Sequence, residues 1–489
     1  MNADNEGPSK EELAVLINEL RAKETLTDIE VGRLQNLEDL ARSARVDDSE
    51  DLLLSLPFDH DGHARAIRER HNNDIKWCSE KGWMIWDGKC WNSEHSKQRV
   101  TLMAIEVLRD RQRAAVDANR QSDVTAAKPS SYNIKGTLSI LESHVVVSFA
   151  DFDKQSHLLN CNNGVVDLRT GEIAAHDREQ LFTYCLETSY DPSADSALWE
   201  RFLQESVESP EVVDYLRLAV GYSITGYTSE EIMFFIHGPK RSGKGTFTET
   251  LMAALRPSKL ATEVGFETFV GSRVSQNFDL APLKSCRFVS ASESKDDDWL
   301  NGEMIKRVTG GNEIYCAFKY GNLFSYRPQF KIWLTSNYAP KGDPDNDALW
   351  GRLRVVQFPT SKYGREDRTL KEKLIDSREG ILKWAISGAI EWYADRGRGL
   401  PTPKAITDNG SAARDACDHV QDYIDECCVI SPETFTSSAS YYQSYELWCR
   451  DNGHTGKKQN SLTRSLTVKG FERKRFAGAR GLKGFGIKQ

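Results

Sequence analysis

The sequence predicts an α/β fold, preceded by a helical and mixed region and followed by a basic helix–helix–hairpin module. Three observations predict it. The run Glu231 to His237, continuously apolar from Ile232 to Ile236, opens onto a glycine-rich loop and then a helix-like stretch. Three later strand-like runs each sit beside a polar residue suited to phosphate chemistry. Residues 450–489 hold eleven Lys/Arg against two acids, a local net charge of +9 on a chain whose total is −8.

The 489 residues allow about three domains by length, and the pattern divides them as 1–70, 71–225, 226–400 and 401–489. Hydrophobic residues at 39% and charged residues at 28% describe a globular chain. No apolar run approaches the roughly 18–20 residues a membrane span needs. The start of the chain is acidic and polar, unlike a signal peptide, so a cytoplasmic location and no membrane partner are expected. The ten cysteines form no CxxC pair and the histidines no HExxH, so buried reduced thiols are expected rather than zinc.

Taken in order, Lys10 to Leu40 spaces Leu13, Leu16, Ile17 and Leu20 as on a helix. Trp77 to Trp91 contains Asp87-Gly88 between apolar residues, a hairpin signal, and its four tryptophans read as the filling of a small sheet. LLNCNNGVVDLRTG, from Leu158 to Gly171, alternates short strands with Asn-Gly and Thr-Gly turns. Ala197 to Tyr227 reads as helices. Arg396 to Ser411, rich in Gly, Pro, Thr and Asn, reads as a linker.

The loop is Gly238, Pro239, Lys240, Arg241, Ser242, Gly243, Lys244, Gly245, Thr246. Glycines let successive backbone N–H groups converge on phosphate oxygens, and the following helix adds its partial positive charge. Lys244 is placed to reach the β- and γ-phosphates. The usual pattern puts Ser or Thr straight after the lysine; here Gly245 intervenes and Thr246 becomes the candidate Mg²⁺ ligand. ATP and Mg²⁺ are therefore the expected ligands.

A hydrolytic site also needs an acid, a polar sensor and a cation on later strands of the same sheet. RFVSAS (Arg287 to Ser292) leads to Glu293, QFKIWLTS leads to Asn337, and RVVQF is preceded by Arg352. Each residue alone is an ordinary cap, turn or surface ion-pair residue. Their order after the loop, at the ends of strands facing one crevice, is what joins them.

At these residues the chain resembles the helicase part of the phage/plasmid primase family, related to the poxvirus-type primase-helicases of superfamily III. The resemblance rests on GPKRSGKGTF, Ser292-Glu293, the run from Ile305 to Pro340, and ALWGRLRVVQFP, with NCNNGVVDLRTGEI upstream. It implies an AAA+-like P-loop motor forming a hexameric ring on single-stranded and forked DNA. It implies that Glu293 polarises water and helps hold Mg²⁺, and that Asn337 senses the γ-phosphate. Arg352, with Arg354 as the alternative, would reach the neighbouring subunit's site, and Lys306 and Lys319 would lie on or near a pore hairpin. The chain departs from the family at Cys316-Ala317, where Ala-Arg is common, and at Ser292-Glu293, where many members carry two acids. Asp296 to Asp298 read as a solvated turn. No primase carboxylate pattern precedes Trp77, which leaves room for a separate primase or polymerase as partner.

The terminal module reads as a winged helix: a helix over Tyr441 to Arg450, a second over Asn460 to Val468, then a basic hairpin from Phe471 to Lys488. Lys457, Lys458 and Arg464 belong to the recognition helix or its approach, and Arg473, Lys474, Arg475 and Arg480 to the wing. Two functions fit. One is an ATP-dependent ring-forming DNA helicase for replication of a virus, phage or plasmid. The other is a replication initiator or loader that uses ATP only to assemble on DNA.

Overall fold

The computed structural model describes residues 53–71, 73–257, 259–270, 279–292, 295, 298–319, 323–365, 367–395, 398–454 and 456–488. The expected helix over Lys10 to Leu40 lies outside them. The chain forms two compact units that divide between Phe152 and Asp153, inside the stretch 71–225 that the sequence groups together.

In the first unit, α1 (His60–Arg70) is followed by an antiparallel sheet of β1 (Ile75–Cys78), β2 (Gly82–Trp86) and β3 (Trp91–Asn92). Asp87-Gly88 makes the β2–β3 turn as its sequence predicts. The Asp87 carboxylate accepts from the Lys89 and Cys90 amides, and Gly88 takes φ +99°. Trp83 and Trp91 are buried in the sheet core. Among the described residues three further helices follow in this unit: α2 (Ser96–Asp117), α3 (Gln121–Ala126) and α4 (Ser131–His144). Buried Arg111 on α2 donates to the carbonyls of Leu56, Pro57 and Gly62, which fixes the chain's approach to α1. Burial lowers its pKa to about 10.

The second unit begins on Asp153, which is buried at φ +58°. Its carboxylate accepts from the Thr183 amide at 2.7 Å, the Thr183 hydroxyl at 2.6 Å and the Ser285 hydroxyl at 2.6 Å. Its carbonyl accepts from Gln329 Nε2 at 3.1 Å. The expected short strands follow as β4 (Leu158–Cys161), β5 (Gly164–Asp167) and β6 (Ile173–Ala174), then α5 (Ala197–Val207) and α6 (Pro210–Ile224).

The centre is a five-stranded parallel sheet. Its strands are β7 (Met233–His237), β8 (Ala261–Gly265), β9 (Phe288–Ser292), β12 (Lys331–Ser336) and β13 (Leu353–Gln357), in the spatial order β13-β7-β12-β9-β8. Between β7 and β8 runs α7 (Lys244–Ala254). Between β9 and β12 lie α8 (Gly302–Thr309) and the antiparallel hairpin β10 (Ile314–Ala317) and β11 (Leu323–Tyr326). The short α9 (Asp347–Trp350) precedes β13.

Both faces of the sheet are covered at its centre, which is why the inner strands β7, β12 and β9 are buried almost throughout. On one face Trp333 stacks on Phe234 at 4.1 Å and on Phe288 at 5.7 Å, and Phe247 of α7 packs against it. Its indole N–H donates to Ser223 on α6. On the other face Phe235, Val289, Ile332 and Val355 join Met304, Ile305 and Val308 of α8.

Two buried cations fix the N-terminal ends of the central strands. Arg287 donates to the carbonyls of Gln155, Leu158 and Ile224. Lys331 Nζ donates to those of Thr225, Tyr227 and Gln329, and burial lowers its pKa far below the usual lysine value.

After the sheet come α10 (Leu370–Asp376), α11 (Arg378–Ala394) and α12 (Lys404–Asp415). The linker expected over 396–411 is helical in its second half. Helix α12 occupies its second half, because Ile406 and Ala413, one helical face apart, are buried.

The terminal module holds α13 (His419–Cys427), β14 (Cys428–Ser437), α14 (Ser438–Asp451), α15 (Gln459–Val468), β15 (Glu472–Phe476) and β16 (Ala479–Ile487). Both predicted helices and the hairpin are present. Strand β14 is an addition: it pairs with β16 to make the sheet order β14-β16-β15. Among the described residues no helix is long and apolar enough to cross a membrane.

Candidate functional site

The loop between β7 and α7 is set by three residues with positive φ: Gly238 at +152°, Arg241 at +62° and Gly243 at +98°. A Cβ on Gly238 would lie 2.0 Å from the Phe358 carbonyl oxygen, so only glycine fits between the two strand ends. The loop curls over the N-terminus of α7, which has no side-chain capping bond. An uncapped helix start inside a turn of backbone suits an anion.

Lys244 opens α7 and is buried. Its ammonium donates to Gly238 O and Pro239 O, both at 2.8 Å, to Asn337 Oδ1 at 3.2 Å and to Ser242 Oγ at 3.3 Å. All four partners are uncharged, and no described carboxylate pairs with it. Burial lowers its pKa. A desolvated ammonium without a counter-charge gains strongly from an arriving phosphate, so the loop's residues fit a polyphosphate. Lys240, Arg241 and Gly245 are exposed around the loop, and Thr246 is half-buried on the first turn of α7.

Asn337 reaches Lys244 because β12 pairs with β7 in a register that sets Ser336 opposite His237. Two predicted site residues 93 positions apart thus meet at the C-terminal edge of the sheet. Strand β9 ends on that edge at Ser292. Glu293 comes next in the chain and lies outside the described residues, as do Asp296 and Asp297. Asp298 caps a turn by accepting from the Lys295 amide. Among the described residues no cluster of three or more His, Cys, Asp or Glu could hold a metal ion.

One carboxylate near this edge escapes the sequence reading. Glu263 on β8 accepts from the Ser292 hydroxyl at 2.7 Å. The only signal is its place in an irregular strand, TEVG, whose alternating burial hides it among surface residues.

Arg352 is not brought to Lys244 within the chain. It precedes β13, so it stands at the N-terminal edge of the sheet, on the order of 15 Å away by strand length. There its guanidinium donates to Glu231 Oε2 at 2.5 Å and to Ala348 O at 3.0 Å. Arg354 lies within β13 and donates to the Gly351 carbonyl at 2.8 Å.

The expected DNA-facing residues occupy two regions. Lys306 is exposed on α8, and Lys319 is exposed just beyond β10 on a hairpin that also exposes Tyr315 and Leu323. In the terminal module Arg464 on α15 and Arg473, Lys474, Arg475 and Arg480 on the β15–β16 hairpin line an open groove of about 880 Å³. Lys458 is exposed at the start of α15.

Lys457 is placed differently from its neighbours. Its ammonium donates to Asp345 at 2.7 Å, Asp343 at 3.3 Å and Ser465 at 3.0 Å, and only 14% of the side chain is exposed. It ties the module to the 343–345 loop and does not line the basic groove. Asp345 also accepts from the Ser465 hydroxyl. Burial pushes the Asp345 pKa up, but the bonds from Lys457 and Ser465 outweigh it and the net shift is downward.

Residues 64–208 match the family described as D5 N terminal like, and residues 236–352 match a family of unknown function (DUF5906). The helicase-named L207/L206 protein of Acanthamoeba polyphaga mimivirus is 26% identical over 336 residues, covering 64% of this chain and 35% of the relative. The helicase-named 022R protein of Frog virus 3 (isolate Goorha) is 24% identical over 266 residues, covering 50% and 26%. This chain thus spans about a third or less of those relatives' length. Among solved structures, the NrS-1 C terminal region aligns over 84% of this chain and 95% of its own, at 10% identity and a TM-score of 0.48. With a D5 N terminal-like region and helicase-named viral relatives, the chain is similar to the phage and viral primase-helicases.

Proposed function

We propose that the chain is the ATP-driven motor of a DNA helicase that replicates a viral, phage or plasmid genome, working as a ring, with a hexamer the expected size. The observation that carries this reading is the meeting of Lys244 and Asn337 over the glycine loop, with Arg352 held at the opposite edge of the same sheet. A motor that hydrolyses ATP between subunits needs this separation: one edge binds nucleotide, and the other supplies a cation to the next copy.

In this reading the amides of 238–245 and the start of α7 hold the β- and γ-phosphates, and Lys244 exchanges its loop carbonyls for phosphate oxygens. Asn337, already bonded to Lys244, contacts the γ-phosphate. Glu293 orients the attacking water and takes its proton. Thr246 and Glu293 are the residues that would hold Mg²⁺, whose charge would offset that of the phosphates. Arg352 of the neighbouring copy stabilises the charge that develops on the transferred group. Lys306 and Lys319, with Tyr315 beside them, face single-stranded DNA. The groove of Arg464, Arg473, Lys474 and Arg475 takes duplex phosphates as a winged helix does, while Lys457 fastens that module to the motor.

The test is strand displacement on a forked duplex with ATP and Mg²⁺. Unwinding by the wild type and none by Lys244→Ala supports the motor. ATP-dependent assembly on DNA without unwinding, unaffected by Glu293→Gln, would replace it with the initiator or loader.

A further inference from the structure

Strand β7 carries the phosphate loop at its C-terminal end. At its other end the chain leaves an unusual residue: Glu231 is a non-glycine at φ +51°, one position before the buried Ile232. Such a backbone is sparsely populated and persists where surrounding contacts hold it. Its amide donates to the Thr228 carbonyl at 3.1 Å. The adjacent Glu230 is anchored by Trp392 Nε1 at 2.9 Å and the Leu400 amide at 3.0 Å. The turn is therefore fixed from both sides, and it aims the Glu231 carboxylate at Arg352.

The contact is specific. Glu231 Oε2 accepts from Arg352 Nη2 at 2.5 Å, while Ala348 O takes Nη1 at 3.0 Å. The Arg352 carbonyl in turn accepts from the Met233 amide at 2.9 Å. Only 16% of the arginine side chain is exposed, against 50% of the glutamate. The guanidinium is thus held by one carboxylate and one helix-end carbonyl on a rigid strand end. An unheld arginine on a surface turn samples many rotamers and loses that freedom on docking.

We propose that Glu231 is a positioning residue for Arg352: it presets the guanidinium that this copy supplies to the neighbouring copy's ATP site. The inference rests on the reading of Arg352 as a cation acting between subunits. It adds a physical link, because one five-residue strand joins the loop that binds a copy's own nucleotide to the carboxylate that aims its arginine at the next.

The test uses the full chain and ATP turnover, with binding of a fluorescent ATP analogue and thermal melting measured alongside. Glu231→Ala should lower kcat about 10- to 100-fold, the range in which small misplacements of a catalytic group fall. KM and analogue binding should stay within about twofold, since ground-state nucleotide contacts are untouched. Glu231→Gln, which keeps the shape but not the charge, should fall between. A purely structural role would lower the melting temperature and leave the kcat of the folded fraction unchanged, and that result overturns the proposal.

Mixed subunits give the sharper readout. Arg352→Ala copies keep an intact phosphate loop, and Lys244→Ala copies keep an intact arginine, so mixing should restore turnover at hybrid sites. Adding Glu231→Ala to the Lys244→Ala copies should remove that recovery. Recovery that persists sinks the positioning role. Full activity of Arg352→Ala alone sinks instead the reading on which it rests.

Discussion

Gly238→Ala should disable the glycine loop between β7 and α7, and the structure supplies the size of the effect. The new Cβ would sit 2.0 Å from the Phe358 carbonyl oxygen and 3.0 Å from its carbon, both backbone atoms. Reaching ordinary contact means opening the β7 and β13 ends by more than about 1 Å. That movement strains the bond from the Phe358 amide to the His237 carbonyl, now 2.8 Å. It also leaves alanine at φ +152°. Backbone strain of roughly 1–3 kcal/mol and one weakened hydrogen bond of about 1 kcal/mol give about 2–4 kcal/mol of destabilisation. Because Gly238 O is a partner of Lys244 Nζ, the lysine shifts with it, and turnover should fall about 10²-fold. Thermal unfolding and steady-state ATP hydrolysis measure the two effects. Gly245→Ala is the contrast: it lies in the helix, and its Cβ would meet only the flexible end of Glu249 at 3.3 Å. It should be neutral in stability or stabilise by up to about 1 kcal/mol. Wild-type melting and turnover for Gly238→Ala, or equal damage at both glycines, would refute the reasoning.

Lys244→Ala should abolish ATP hydrolysis and analogue binding by the folded protein, as read by fluorescence titration. Lys457→Ala should cost about 1–3 kcal/mol, because it strips a mostly buried Asp345 of its cation, and limited proteolysis should then release the terminal module more readily. Arg473→Ala and Arg475→Ala should weaken duplex DNA binding on all sequences alike, each reducing the salt slope of log K by about 1; an unchanged slope argues against phosphate contact. Stability should also fall on acidification. Burial, helped by the Arg111 charge, lowers the His63 pKa to about 4 from 6.5. The unfolded chain therefore binds the extra proton first. The stability contributed by the neutral imidazole is intact above pH 6.5 and lost as pH drops towards 4, about 3 kcal/mol in all. Urea melts at pH 7.5 and 5 should show the loss, and His63→Gln should flatten it.

The parts of the fold legible in the sequence are those fixed by local chemistry. The run Met233–His237 reads as a strand because both faces of the sheet are covered, and the loop glycines announce the positive φ they adopt. Strand β8 was not legible: its burial alternates over five residues, one of them glycine. Strand β14 was hidden by Pro432 and by exposed polar positions, and only its pairing with β16 defines it. The 396–411 stretch carries linker residues, yet two buried side chains make half of it a helix. Order along the chain predicted that Lys244 and Asn337 belong together, but only strand order brings them within 3.2 Å. The restraints on Lys457 and Arg352 come from Asp345 and Glu231, more than a hundred residues distant, and no local pattern encodes them.

Asp153 has a practical consequence for dividing this chain. The first residue of the second unit is also one of its fasteners, gathering Thr183, Ser285 and Gln329 from three separate segments. A protease or a cloning boundary on its N-terminal side leaves all those bonds in place. The same cut one residue later leaves Thr183 and Ser285 without their shared acceptor, in the neighbourhood where Arg287 and Lys331 hold buried carbonyls. Soluble fragments of the second unit should therefore begin at or before Asp153, and a one-residue difference in where they start should decide their yield.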